Sequence, residues 1–562
     1  MIQMRRVCAV LAATIVITLV PVFAKTIELD SATIADINAA FDAGTLTAEK
    51  LVQMCLARIA AFDRKGPALH AVIALNPKAL DVARALDAER KAKGRRSPLH
   101  GIPVVLKDNY DTFDLPTTGG SVLLEGSIPS KDAFVVKKLR DAGAIILAKV
   151  NMSEFASAGA YSSLGGQSLN PHDLTRSPSG SSGGTGVAIA AAYAPLGMGT
   201  DTGGSIRGPS TSNGIVGLKP THGLLSRSGI IPLALSFDTG GPMARSVYDV
   251  AVALGVMTGV DAADAATKKS EGVLQTDYTK ELRADALKGA RIGAARDFLG
   301  ADPDVDWVVD AALAAMRKAG ATVVDVRYPK WLLDAKGEFY TTVRYPEFTA
   351  QIAEYLSHTG PRYPKTLAEM IDRANQFNAT RADGAHPNPS RWSLFKRELE
   401  SGTLTDYRYT AVHDYGLPLV RAIVEGMLAA QQLDAIVYPT ASRRPALIAA
   451  PPAASGTGAT TVLSGAGALG HRHRQPHRLS RSHRSGGVHR RQPAGRVVVL
   501  RPRLQRAEAA VARVQLRAGD ARAPRPNPCA RAAWRGNLGA LISLQGVETV
   551  SAPPVIGCGS AE

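Results

Sequence analysis

Apolar residues recur at spacings of three and four along Leu51, Met54, Cys55, Leu56, Ile59 and Phe62. That is the period of a helix with one buried face, and Thr47 stands where its N-cap would fall. The same helical pattern runs from Asp30 to about Ala92 and predicts covering helices. Ile102-Pro-Val-Val-Leu106 is a short continuous apolar run, which reads as a buried strand ending at Lys107. Asp132 to Ala142 then predicts a helix stopped by Gly143, followed by the strand-like Ala144-Ile-Ile-Leu-Ala148. Farther on, Leu417 to Gln432 is helical and Asp434-Ala-Ile-Val-Tyr-Pro439 is strand-like. Strand alternating with helix predicts an α/β fold, its sheet covered by helices on both faces.

The stretch from Asn170 to Gly241 breaks this rhythm, being dense in Gly, Ser, Thr and Pro. Apolar segments at Val187 to Leu196 and Ile215 to Leu218 interrupt it, so a flexible linker is the poorer reading. Glycine there permits close backbone approach in a packed site. The chain has 562 residues, 45% of them hydrophobic and 20% charged, enough apolar material for a sizeable core.

Candidate chemistry lies in the same stretch. Ser179-Gly-Ser181-Ser-Gly-Gly184 is followed by Gly199-Thr-Asp-Thr-Gly-Gly-Ser-Ile-Arg207 and Gly217-Leu-Lys-Pro-Thr221, with His100-Gly-Ile-Pro-Val-Val-Leu-Lys-Asp-Asn109 upstream. These motifs, in this order, resemble the amidase signature family, and the resemblance runs from about Leu51 to about Ala453. It implies a single large domain with a mixed central β-sheet, hydrolysis of a carboxamide through an acyl-enzyme, and no metal or organic cofactor. It also implies a Ser-cisSer-Lys triad. Lys107 takes the place of the family's lysine, Ser181 of its bridging serine behind a cis Gly180-Ser181 peptide, and Ser205 of its nucleophile. The backbone N–H groups of Thr202, Gly203, Gly204 and Ser205 match the family's oxyanion hole, while Ser182, Asp201 and Arg207 match positions that support the loop.

Elementary chemistry explains these residue types. A serine hydroxyl attacks a carbonyl only if a base takes its proton, and a neutral lysine can be that base without any histidine. Burial at the end of an apolar strand would strip the charge from Lys107. Ser181 can relay, accepting the proton of Ser205 while passing its own to Lys107. Glycines at 203 and 204 leave room for N–H groups to converge on the developing oxyanion, where one donor contributes roughly 3–4 kcal/mol.

Net charge alters the picture at one place only. Of the formal +17, residues His471 to Arg535 carry +15, with 17 Arg, no Lys and two acids, Glu508 and Asp520. An arginine-rich tail suggests nucleic acid. A shifted reading frame is the preferred account. Members of the family resembled continue with a segment like TGFPDLIVPAGF, absent here. Yet His473 to His489 can be encoded by codons that, read one nucleotide later, give Ile-Ala-Asn-Leu-Thr-Gly-Phe-Pro-Asp-Leu-Ile-Val-Pro-Ala-Gly-Phe. The same shift over Leu500 to Arg506 permits Phe-Gly-Pro-Ala-Phe-Ser. Residues 466–535 are therefore expected to be irregular, the amidase unit to span 25–465, and residues 536–562 have no assignment. The histidines at His471, His473, His477, His483 and His489 have no regular metal-ligand spacing.

At the N-terminus Arg5 and Arg6 precede an apolar run from Val7 to Phe23, with Val22 and Ala24 placed like the small residues of an export cleavage site. Residues 1–24 read as a signal peptide and the mature protein as periplasmic or secreted, without membrane attachment; the alternative is a membrane anchor. Cys55, Cys529 and Cys558 remain after cleavage and form no disulfide framework. Ser393-Leu-Phe-Lys396 matches SxxK, but without companion motifs it reads as coincidence on a surface helix. Within the family the chain looks most like peptide amidases, through Ile59-Ala-Ala-Phe-Asp-Arg-Lys-Gly66 and Ser226-Arg-Ser-Gly-Ile-Ile-Pro232. The partner expected is a small-molecule or peptide amide, not nucleic acid. Two alternatives stand: the glutaminase subunit of a tRNA-dependent amidotransferase, which would be cytoplasmic with partner subunits, and an inactive binding protein.

Overall fold

The computed structural model describes residues 27–157, 159–380, 388–448 and 499–500. Helices α1 (Ile34–Asp42) and α2 (Ala48–Phe62) open the described chain. The second carries the predicted stripe: Leu51, Val52, Cys55 and Ile59 are buried, and Thr47 Oγ1 accepts the Lys50 N–H at 3.1 Å. That cap satisfies one of the donors a helix start leaves without partner.

Strands β1 (Val72–Leu75), β2 (Pro103–Lys107) and β3 (Ile145–Val150) alternate with helices α3 (Ala79–Lys93) and α4 (Phe134–Asp141). A small hairpin, β4 (Tyr161–Ser162) with β5 (Gly166–Gln167), leads to α5 (Gly183–Ala190), β6 (Leu196–Asp201), α6 (Arg207–Ser212), β7 (Val216–Gly217), β8 (Thr239–Ala244) and α7 (Val247–Met257). Six of these strands form one mixed sheet in the order β1-β3-β2-β6-β8-β7. Its middle members β3, β2 and β6 run parallel, while β1, β8 and β7 pair antiparallel. Every residue of β2, β3, β6 and β8 is buried. Helices on both faces explain why these strands read as unbroken apolar runs rather than as alternation. The Gly/Ser-rich stretch is packed too: the first seven residues of α5 are buried against β6 and β2.

The second half of the described chain contributes β9 (Arg291–Ala295), α8 (Pro303–Lys318), β10 (Thr322–Val326), the 28-residue α9 (Lys330–Ser357), α10 (Leu367–Thr380), α11 (Pro389–Leu399), α12 (Tyr407–Thr410), α13 (Leu417–Ala430), β11 (Ala435–Val437) and β12 (Val499–Leu500). A smaller sheet, ordered β10-β9-β11-β12, takes up its four strands. The strand-like run at Asp434 to Pro439 thus joins this sheet and not the central one. Val499 and Leu500 pair antiparallel with β11, so one short strand stands within the stretch expected to be irregular. The rest of residues 466–535 lies outside the described residues, as do 1–24, the five tail histidines and 536–562. Ser393 and Lys396 are exposed on α11, where the Lys396 ammonium sits 3.7 Å from the centre of the Trp392 ring. Among the described residues no helix is long and apolar enough to cross a membrane.

Candidate active site

Strand β2 ends inside the protein, and its last residue, Lys107, is 0% exposed. Lys107 Nζ donates to Ser181 Oγ at 2.7 Å and to Thr200 Oγ1 at 2.7 Å, with the Thr200 carbonyl at 3.4 Å. Asn109 Nδ2 donates to the same Thr200 hydroxyl at 3.0 Å. Burial penalises the ammonium and pulls Lys107 down to about 7, against the opposing attraction of Asp201 and Asp238. At neutral pH a substantial share of this amine is therefore uncharged.

Ser181 enters from the loop before α5, behind a cis Gly180-Ser181 peptide. Its carbonyl accepts the Ser153 N–H at 3.0 Å, and the Ser182 N–H donates to the Ser205 carbonyl at 3.1 Å. The two serine loops are thereby stitched together through backbone. Ser182 Oγ also bridges the backbone of Thr200, donating to its carbonyl and accepting its N–H, each at 3.2 Å.

Asp201 organises the turn that follows β6. Its carboxylate accepts from Gly204 N–H at 2.7 Å, Ile206 N–H at 3.0 Å and Arg207 N–H at 3.3 Å, and from the Arg207 guanidinium twice at 3.0 Å. Burial alone would raise this carboxyl, but Arg207, the charge of Lys219 and the backbone donors hold it well below the usual carboxylate range. Gly204 adopts φ +122°, a conformation that side chains rarely tolerate, which accounts for a glycine there.

The turn presents its donors unevenly. Gly204 N–H is taken up by Asp201, whereas among the described residues the N–H groups of Thr202, Gly203 and Ser205 have no protein acceptor. Ser205 is half-buried and Gly203 exposed, so these donors border the mouth of the site. The Ser205 hydroxyl makes no hydrogen bond among the described residues. The expected residues are thus gathered in one place: Lys107 and Ser181 in direct contact, Ser205 held beside them by the backbone of Ser182.

Four participants were not anticipated. Thr200 and Asn109 share the Lys107 hydrogen-bond network and sit within the quoted motifs, so proximity in sequence could have flagged them. Asp238 accepts the Thr202 hydroxyl and is 8% exposed. Tyr340, on α9, lies against the glycine-rich turn: a Cβ on Gly203 would come within 3.1 Å of its phenol. Nothing local to positions 238 or 340 marks either residue; only chain folding brings them in. An apolar wall of Ile230, Ile231, Leu233 and Leu235 closes the space beside Asn109, Thr200 and Thr202. Among the described residues no group of three or more His, Cys, Asp or Glu could hold a metal ion.

A buried lysine hydrogen-bonded to a serine, at the end of a mixed sheet beside a glycine-rich turn, is the arrangement the site presents. The chain matches the Amidase family model over residues 50–464, and it belongs to that family of amide-hydrolysing enzymes. A glutamyl-tRNA(Gln) amidotransferase subunit from Cupriavidus metallidurans is 38% identical over 418 residues, covering 72% of this chain and 81% of that protein. Among solved structures, native peptide amidase from Stenotrophomonas maltophilia is 40% identical, covers 73% of this chain and 84% of its own, and superimposes with a TM-score of 0.68. The corresponding glutamyl-tRNA(Gln) amidotransferase subunit from Thermotoga maritima is 26% identical over 75% of this chain and 82% of its own, with a TM-score of 0.53.

Proposed function

We propose that the chain hydrolyses a primary carboxamide with Ser205 as nucleophile, Ser181 as proton relay and Lys107 as ultimate base. The observation that carries this reading is the 2.7 Å contact between Lys107 Nζ and Ser181 Oγ in a fully buried setting. Ser205 Oγ bonds to the amide carbon as its proton passes to Ser181 Oγ and the Ser181 proton passes to Lys107 Nζ. The carbonyl π pair moves onto oxygen, where the N–H groups of Thr202, Gly203 and Ser205 meet it. Collapse breaks the C–N bond, the proton returns through Ser181 to the leaving nitrogen, and ammonia departs. Water repeats the sequence on the acyl-enzyme and frees the carboxylate. The mechanism requires Ser205 Oγ to come within hydrogen-bond reach of Ser181 Oγ when substrate binds, a tightening common in unliganded sites. No step calls for a metal or organic cofactor.

Two substrates fit this chemistry. The glutamyl-tRNA(Gln) amidotransferase relative from Cupriavidus metallidurans supports the glutaminase-subunit reading, with glutamine as the amide in a tRNA-dependent complex. The solved structure with the higher TM-score favours the C-terminal amide of a peptide. Ammonia release from an amidated peptide and from free glutamine, each with and without glutamyl-tRNA and partner subunits, separates them: tRNA-dependent stimulation on glutamine supports the first, turnover of the peptide amide alone the second. The leader reading of residues 1–24 sides with the peptide amide, and sequencing the mature N-terminus from the periplasm checks it, with Lys25 expected.

A further inference from the structure

The antiparallel register of β6 and β8 places Asp201 opposite Thr239, which brings the next residues outward, Thr202 and Asp238, together at the sheet end. There the Thr202 hydroxyl donates to Asp238 Oδ1, while Asp238 Oδ2 accepts Leu233 N–H at 2.8 Å and Ala234 N–H at 3.0 Å. Burial pushes this carboxyl up, and the three converging donors, with the charge of Arg227, oppose that rise and favour its ionised, acceptor-only form. The loop it gathers is fastened at its other side to α9. Ser236 N–H donates to Glu347 Oε2 at 3.0 Å, Leu235 N–H to Gln351 Oε1 at 2.9 Å, and the Phe237 ring lies 5.4 Å from that of Tyr340. Asp238 thus ties the first residue of the glycine-rich turn to the helix that lies against it.

We propose that Asp238 is a positioning residue of the amide-hydrolysing site, holding the oxyanion turn through Thr202 and setting, by its negative charge, the protonation of Lys107. This rests on the reading of Lys107 as base. The charged and titratable groups around this corner are Asp201 at the end of β6, Arg207 beyond it, Lys219 after β7, His222 and Arg227 on the surrounding loop, Tyr340, Arg344 and Glu347 on α9, and Glu398 on α11. Of these, Asp201 and Asp238 favour the ammonium of Lys107, against burial. Asp201 is neutralised at contact distance by Arg207. Asp238 makes no such ion pair among the described residues; its hydrogen-bond donors there are a hydroxyl and two backbone N–H groups. The strand end links the two sites: Thr202, which Asp238 holds, lies two residues beyond Thr200, whose hydroxyl and carbonyl accept from Lys107 Nζ, so removal of the Asp238 charge should be felt at Lys107.

The test is the pH profile of kcat/KM for ammonia release by the wild-type chain, Asp238→Asn and Thr202→Val. Asp238→Asn keeps the shape and can still bond Thr202 and the two N–H groups, but loses the charge. Its acid limb should move to lower pH, with kcat down about tenfold from a less firmly held turn. Thr202→Val cuts the tether and keeps a carboxyl at 238, though it also removes one donor that favours the ionised form, so kcat should fall while the limb moves less than in Asp238→Asn. An Asp238→Asn limb at the wild-type position overturns the proposal, even if kcat drops, because a merely structural role would do that. Should Asp238→Asn not fold, Thr202→Val with wild-type kcat overturns the tether by itself. A wild-type profile lacking any acid limb would instead overturn the Lys107 reading, which separates the two failures.

Discussion

The two sheets of this protein differ in how far they are enclosed. In the six-stranded sheet β2, β3, β6 and β8 have no exposed residue, and the catalytic candidates sit at or beyond the ends of β2 and β6. In the four-stranded sheet β10 has two exposed and two half-buried residues of five, and β11 is buried only at Ile436. Trp307 on α8, the helix packed against β10, is exposed. Depriving a lysine of its charge requires the first kind of environment. Desolvation is the largest influence on Lys107, and it depends on the absence of water around the strand end. The second sheet carries no such requirement: only β9, with four of its five residues buried, is comparably enclosed.

The strongest way to break this comparison is at the nucleophile. Ser205→Ala should remove acyl-enzyme formation and reduce turnover roughly 10⁴–10⁶-fold with the fold intact, read by ammonia release beside circular dichroism. Comparable turnover in the variant would dissociate the enclosed sheet from the chemistry. Lys107→Ala should lower kcat by roughly 10²–10⁴-fold, and combining it with Ser205→Ala should add almost nothing, since the groups act as one unit.

Acidity sharpens the contrast. In the proposed mechanism the working form of Lys107 is neutral, and its amine is pulled down to about 7. Activity should therefore be full above that pH and fall about tenfold for each unit below it, as the amine gains its proton. An ordinary exposed lysine would place this limb near 10, so a profile still rising between pH 8 and 10 would contradict an enclosed base.

The smallest effects concern stability. Leu147→Ala in β3, fully buried, should cost about 2–5 kcal/mol in urea unfolding. Val324→Ala in the half-open β10 should cost about 1 kcal/mol, because less apolar area leaves water there. Equal losses would show that the two sheets depend on burial alike.

Much was legible in the chain because its signals are local. The stripe from Leu51 to Phe62, the run from Ile102 to Leu106 and the stop at Gly143 each state their conformation within a dozen residues, and the motifs around Lys107, Ser181 and Ser205 carry their chemistry in order. Tertiary structure decided what depends on distance through space. The parallel pairing of β2 with β6 sets Lys107 against Thr200, and the loop before α5 brings Ser181 to the same amine; only that enclosure removes water from it. Gly204 looked like an oxyanion donor from its place in the motif, yet its N–H faces Asp201, because the turn closes on the carboxylate that also holds Arg207. Asp238 and Tyr340 were silent in sequence for the same reason: an aspartate or a tyrosine has no period or spacing of its own, and each acquires a role only where β8 meets β6 and α9 crosses Gly203. Residue types and local periodicity fixed which chemistry was available; the packing of remote segments, through desolvation and hydrogen-bond geometry, decided which atoms perform it.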